Sequence, residues 1–77
     1  MKVYKRAQST LNNEARPLLK HPENIIYKTK NEVEYMWQYP CDEKNYYTTI
    51  HYGKNGNIVR IVKESEHSDE IITLELR

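Results

Sequence analysis

The sequence predicts a mainly β domain of the α+β class, a small antiparallel meander or partly open barrel of about five strands with a short N-terminal helix. Three observations support this fold: an Asn55-Gly56 turn between two strand-like runs, a strictly alternating run over 32–39, and a helical stripe of apolar residues near the N-terminus. The 77 residues suffice for a single domain, 1–77, with a small core.

The stretch over 46–63, YYTTIHYGKNGNIVRIVK, predicts a β-hairpin. Asn-Gly favours a two-residue type I′ turn, in which both central residues have positive φ. This turn pairs Ile50 with Ile61 and Tyr52 with Val59, and it places these four residues on one face. The opposite face is mixed and receives Thr49, His51, Ile58, Arg60 and Val62.

Strict alternation over 32–39 predicts a half-buried strand with its aromatic residues on the core face. The expected core residues are Val33, Tyr35, Trp37 and Tyr39, with Glu32 and Glu34 in solvent. The segments 24–30 and 71–76 are also rich in strand formers, and they flank the three strands between them as further members of the meander. The acidic segment 64–70 has the composition of an exposed turn.

Near the N-terminus, Leu11, Ala15, Leu18 and Leu19 fall at helical spacing and form one apolar stripe. Pro17 lies inside this pattern, where proline costs a helix about 3 kcal/mol. We therefore expect a short helix that starts near Pro17 or bends there. Residues 1–9 are interpreted as a short edge strand in preference to a loose basic arm.

The net charge of +1 conceals an asymmetry between the two parts of the chain. Residues 1–30 hold seven Lys or Arg against two Glu, whereas residues 31–77 hold five against nine Asp or Glu. Opposite charges of this kind can pair across a twofold contact, and exposed strand edges favour the same association. We therefore expect a homodimer.

Residues suited to chemistry are few. Cys41 lies beside Asp42 and Glu43, an anionic context that disfavours a reactive thiolate, and no pair of ligands has the spacing of a zinc site. The two glycines belong to the hairpin turn, so no phosphate-binding loop is present. The sequence predicts no catalytic residues, no metal and no cofactor. A single cysteine and the lack of an apolar membrane span or signal sequence favour a soluble, cytoplasmic protein.

The aromatic residues point to a protein-binding function. Phe is absent, and the chain has seven Tyr and one Trp, residue types that dominate binding hot spots. We expect a non-catalytic protein-interaction module of the inhibitor or adaptor type. The expected partner-binding residues are Tyr47, Tyr39, His51, Arg60 and Tyr46.

An alternative function is nucleic-acid binding through the basic N-terminal third and the tyrosines. The residues concerned are Lys2, Lys5, Arg6, Arg16, Lys20, Lys28 and Lys30. The near-neutral overall charge and the acidic remainder of the chain make this the less favoured function. The composition, rich in Lys, Asn, Tyr and Glu, resembles that of small proteins from phages and mobile elements of low-GC bacteria, which implies a similar source.

Overall fold

The computed structural model describes residues 2–38, 41, 43–66 and 68–77. These residues form six strands, one α-helix and one 3₁₀ turn. Their bounds are β1 Lys2–Arg6, α1 Gln8–Leu19, the 3₁₀ turn Pro22–Asn24, β2 Ile25–Lys28, β3 Glu32–Gln38, β4 Asn45–Tyr52, β5 Ile58–Ser65 and β6 Ser68–Leu76.

The strands form one open sheet with the spatial order β1-β6-β5-β4-β3-β2. The five strands β2 to β6 are an antiparallel meander, which confirms the predicted strand pairing. The sixth strand is β1, which joins β6 in parallel and confirms the edge-strand interpretation of the N-terminus. The sheet does not close into a barrel, because its edges, β1 and β2, lie at opposite ends.

Helix α1 packs on one side of the sheet, which we call the helix face. Its Leu11 and Ala15 are fully buried, and Leu18 packs against the same core. Burial of this stripe is the main source of stability for a short helix. The core is completed from the sheet by Val33, Tyr35, Ile50, Ile58, Ile61 and Leu74.

The opposite side of the sheet, which we call the open face, has no helix of the described residues packed on it. Residues that pair directly on neighbouring strands point to the same side, and successive residues alternate. The open face therefore carries the alternate residues of β3 to β6, including Thr49 and Val62.

The turn of the central hairpin differs from the predicted one. Gly56 has the expected positive φ, at 83°, whereas Asn55 does not. The Gly53 amide donates to the Asn57 carbonyl at 2.8 Å, and the Gly56 amide donates to the Gly53 carbonyl at 3.0 Å. These bonds close a three-residue loop over 54–56 with glycine in the left-handed position, a common alternative to the two-residue turn.

The additional loop residue is offset by a bulge, so the predicted register is wrong only next to the turn. Tyr52 pairs with Ile58, and Val59 is the unpaired residue. Ile50 pairs with Ile61 as predicted. The bulge turns Ile58 into the core, where it is 6% exposed, and the prediction that Ile58 lies on the other face from Ile61 was wrong.

Helix α1 also begins earlier than predicted and continues through Pro17. The Ala7 carbonyl accepts the first bonds, from the amides of Thr10 and Leu11, at 3.1 and 3.2 Å. Pro17 lies near the C-terminal end of the helix, where the carbonyl it leaves unbonded belongs to solvent-exposed Asn13. Burial of the apolar stripe outweighs this local cost.

The acidic segment 64–70 contains the predicted exposed turn, and most of its residues belong to the ends of β5 and β6. Ser65 pairs with Ser68 across a tight connection, so β5 and β6 form a hairpin. His67 lies outside the described residues. Among those residues, no helix has the length and apolar character needed to cross a membrane.

We predict that Gly56→Val lowers the free energy of unfolding by about 1 to 3 kcal/mol, because a β-branched residue is strained at positive φ. No atom lies within 4 Å of a Cβ added at Gly56, so the loss reports backbone strain rather than a clash. Urea unfolding measures this loss in the free energy of unfolding. Gly56→Asn is the matched control, since Asn tolerates this φ, and equal stability of the two variants would contradict the turn.

Candidate functional site

Three of the five predicted partner-binding residues, Tyr47, His51 and Arg60, lie together on the open face. Tyr47 and His51 lie on the same side of β4, with Thr49 between them, and His51 pairs directly with Arg60 of β5. The hairpin register therefore places them on one surface. The structure does not describe Tyr39.

A row of charged side chains crosses five strands of the open face. Lys5 donates to Glu75 at 2.9 Å, and the other oxygen of Glu75 is 3.3 Å from the Arg60 Nε. His51 Nδ1 is 3.2 Å from a Glu32 oxygen. The Lys5 and Arg60 side chains are 64% and 48% exposed, so the row remains accessible. We call these five residues the charged row.

Beside the charged row, the centre of the open face is formed by uncharged side chains. The next residues across the strands are Val3, Thr73, Val62 and Thr49, which pair successively from β1 to β4. Met36 pairs with Tyr47 on the far side of this line. Val3 is 48% exposed, whereas Thr73 is almost fully covered by its neighbours. We call these six uncharged residues the apolar centre. Two carboxylates lie beside them on the same face, because Glu34 pairs with Thr49 and Glu64 pairs with Tyr47.

A polar network borders the apolar centre on its other side. The Asn45 side-chain amide donates to Glu66 at 2.7 Å, and the Gln38 amide donates to Asn45 at 2.8 Å. The Tyr47 hydroxyl is 3.4 Å from Glu66. Hydrogen bonds from Asn45 to the Glu66 carboxylate lower the pKa of Glu66. The open face thus has a centre of mainly uncharged side chains between two polar borders, with Glu34 and Glu64 next to Thr49 and Tyr47.

Tyr46, the fifth predicted residue, points to the helix face. Its ring stacks with that of Trp37, with centroids 6.0 Å apart and planes 17° from parallel. Trp37 lies on the same face as Tyr35, as the alternation predicted. Tyr35 is 3% exposed, and burial raises its pKa, whereas Trp37 is only partly buried. The two stacked rings border a cavity beside the C-terminal half of α1.

The arrangement of the described residues offers surfaces rather than reactive groups. No set of three His, Cys, Asp or Glu side chains among them could hold a metal ion, and Cys41 is an exposed thiol. Sequence reasoning missed Lys5, Glu32 and Glu75 of the charged row. Lys5 and Glu75 meet through the pairing of β1 with β6, which no local pattern signals, and Glu32 meets His51 through the pairing of β3 with β4.

Comparison of the chain with models of protein families, with curated proteins and with solved structures gave no match. The functional argument therefore depends on the geometry of the described residues.

We predict that Lys5→Ala raises the pKa of Glu75. The hydrogen bond from Lys5 is the largest cause of the lowered pKa of this carboxyl, and the charge of Arg60 adds to it. Carboxyl ¹³C NMR titration measures the change, with Lys28→Ala, outside the charged row, as the control. A Glu75 pKa that is the same in the wild type and in Lys5→Ala would contradict the ion pair.

The lowered pKa also fixes the direction of the pH dependence. These contacts stabilise the fold above the unfolded-state pKa of Glu75, and the stabilisation is lost as the pH falls through the lower, folded-state value. Glu75→Gln should therefore be less stable than the wild type near neutral pH, and the difference should shrink on acidification. Urea unfolding across this pH range measures it, and a pH-independent difference would contradict the assignment.

Proposed function

We propose that the protein is a non-catalytic protein-binding module whose open face contacts the partner. The observation that carries this proposal is the one-sided covering of the sheet: α1 packs on the helix face, and Tyr47, His51 and Arg60 lie together on the other. A broad sheet face of this kind is a ready surface for a second protein.

The size of the open face suits a stable complex. The two longer dimensions of the molecule are 36 and 27 Å. They give each broad side an area close to the ~800 Å² that one partner contributes to an interface of standard size. A partner of complementary shape could therefore be held by this face alone.

The distribution of side chains on the open face matches the anatomy of a protein interface. Interfaces have a desolvated centre depleted of charge and a polar rim that stays wet. The apolar centre corresponds to the first, and the charged row and the polar network correspond to the second. Tyr47 and Arg60 are of residue types enriched among hot spots, and each lies at a border of the apolar centre. We therefore propose a partner with a flat surface and an apolar centre.

The ion pairs of β1 count against the alternative function, nucleic-acid binding. Lys2 pairs with Glu70, and Lys5 pairs with Glu75, each at 2.9 Å. Two charges of the basic N-terminal third are thus compensated within the chain, which reduces the field available to attract a phosphate backbone.

The same ion pairs bear on the homodimer. We expected the basic third of one copy to face the acidic strands of another, and β1 already meets acidic residues of β6 within one chain. Both edge strands are also short, and each carries lysine, which discourages edge pairing. We accordingly propose a different protein as the main partner, and the homodimer stays a prediction.

Sedimentation at micromolar concentration tests the homodimer. A second copy covering the open face would give a mass of twice 9.3 kDa that falls on dilution. If Val62→Glu abolishes that dimer, the partner of the open face is a copy of the chain. A mass of 9.3 kDa at all concentrations would remove the homodimer and leave the face to a different protein.

A capture experiment tests the main proposal. We predict that the immobilised wild type captures a protein from an extract of the source cell after nuclease treatment, and that Val62→Glu reduces this capture at least about tenfold, the effect of a hot-spot change. Leu19→Glu is the matched control, because Leu19 is a helix residue outside the open face that is 49% exposed. Circular dichroism checks that both variants fold.

Two outcomes of the capture would contradict the proposal. Capture that Val62→Glu leaves unchanged would exclude the open face as the contact. Capture that disappears on nuclease treatment, or that falls by orders of magnitude with rising salt, would support nucleic-acid binding instead.

A further inference from the structure

The helix face contains a cavity beside α1, and Tyr47 of the open face contributes to its rim. It has a volume of about 490 Å³, within the range of small-molecule sites. One wall comes from the C-terminal half of α1 and the segment after it, where Glu14, Leu18 and His21 lie at helical spacing. The other wall comes from the ends of β3, β4 and β5.

The sheet wall presents two aromatic rings. Trp37 and Tyr46 both line the cavity, and their rings lie 17° from parallel with centroids 6.0 Å apart. Rings in offset stacking extend such a stack readily to a further flat ring. The wall therefore favours a planar aromatic group over a branched aliphatic one.

A buried hydroxyl in the cavity indicates that the ligand carries a hydrogen-bonding group. Thr48 also lines the cavity and is 1% exposed, and its Oγ1 has no hydrogen-bond partner among the described residues. Buried hydroxyls are normally satisfied, because an unpaired one loses its hydrogen bonds to water without replacement. A ligand with an N–H or O–H group on its ring would supply the partner that Thr48 lacks.

Two of the charges at the cavity compensate each other. The Lys63 ammonium lies 2.9 Å from a Glu14 oxygen, and both side chains are 41% exposed at the boundary between α1 and β5. A charged ligand would have to compete with this ion pair. The Glu64 carboxylate also lines the cavity and disfavours an anionic ligand, so the lining suits an uncharged one.

We propose that this cavity binds an uncharged, planar, heteroaromatic molecule of about the size of a bicyclic ring. The ring stacks beside Trp37 and Tyr46, and a donor on its edge hydrogen-bonds to the Thr48 hydroxyl. The site lies on the helix face, and Tyr47 and Glu64 are the two open-face residues that also line it.

Indole is a suitable probe, because it is uncharged, planar and bicyclic and has one N–H donor. Titration of the ¹⁵N-labelled full chain with indole should give saturable shifts of the Trp37 side-chain N–H and of the Thr48 amide. Since Trp37 is the one tryptophan of the sequence, its signal is unambiguous. Cyclohexanol, which has a hydroxyl but no aromatic face, should bind at least about threefold more weakly, the value of one aromatic contact.

Two neighbouring threonines give a matched pair of variants. Thr48→Val removes the buried hydroxyl and keeps the shape, and it should weaken indole binding about fivefold, the contribution of one hydrogen bond. Thr49→Val makes the same change on the open face and should leave indole binding unchanged. Thr48→Val should fold well, because it removes a hydroxyl that has no partner among the described residues.

The proposal is overturned if indole gives no saturable shift at Trp37, or if cyclohexanol binds as well as indole. It is equally overturned if Thr48→Val binds indole as tightly as the wild type and Thr49→Val do. None of these outcomes affects the open face, which the capture experiment tests separately.

Discussion

A helix of 12 residues packed on one side of a six-stranded sheet is the constraint on which the other features of this protein depend. A sheet has two faces, and burying both requires a layer on each side. Here α1 supplies part of one layer. Leu11 and Ala15 cover the middle of the helix face and complete the core with Ile50 and Ile61. The open face and the cavity beside α1 are the two surfaces that this helix leaves uncovered.

The small core also limits how stable the fold can be. The core cluster holds eight hydrophobic residues, and Phe is absent from the chain. The surface ion pairs add little, because exposed pairs typically contribute about 0 to 1 kcal/mol each. Their role is better described as choosing strand neighbours: Lys2 and Lys5 of β1 meet Glu70 and Glu75 of β6. Charge thus helps to specify the parallel pairing of β1 with β6, which adds the last strand to the open sheet.

Local patterns predicted those parts of the fold that local physics determines. Alternation in β3 placed Tyr35 in the core, because a strand with one buried face admits apolar residues at every second position. The Asn55-Gly56 dipeptide located the hairpin, since glycine supplies the positive φ that the turn needs. The loop length was wrong because two-residue and three-residue loops both accept this dipeptide, and a bulge at Val59 restored the register.

Other features required tertiary information. The pairing of β1 with β6 joins the two ends of the chain, and no nearby residue signals it. The proline at position 17 disfavours a continuous helix, but burial of the apolar stripe from Leu11 to Leu18 outweighs the cost of a proline inside the helix. For the candidate site, strand alternation and the hairpin register predicted that Tyr47, His51 and Arg60 share one surface. The charged row and the unpaired Thr48 hydroxyl depend on distances that a sequence does not contain.

Thiol labelling at positions 48 and 49 tests the one-sided covering most directly. Thr48→Cys and Thr49→Cys, each in a Cys41→Ser background, place nearly isosteric thiols at adjacent residues on opposite faces. In the isolated native protein at low micromolar concentration, an anionic thiol reagent should react at least about tenfold faster at position 49. The side chain at 48 is only 1% exposed, and the cavity that it lines also holds the Glu64 carboxylate, which disfavours an anionic reagent. Equally slow labelling at both positions would show that the open face is already covered, and it would contradict the account.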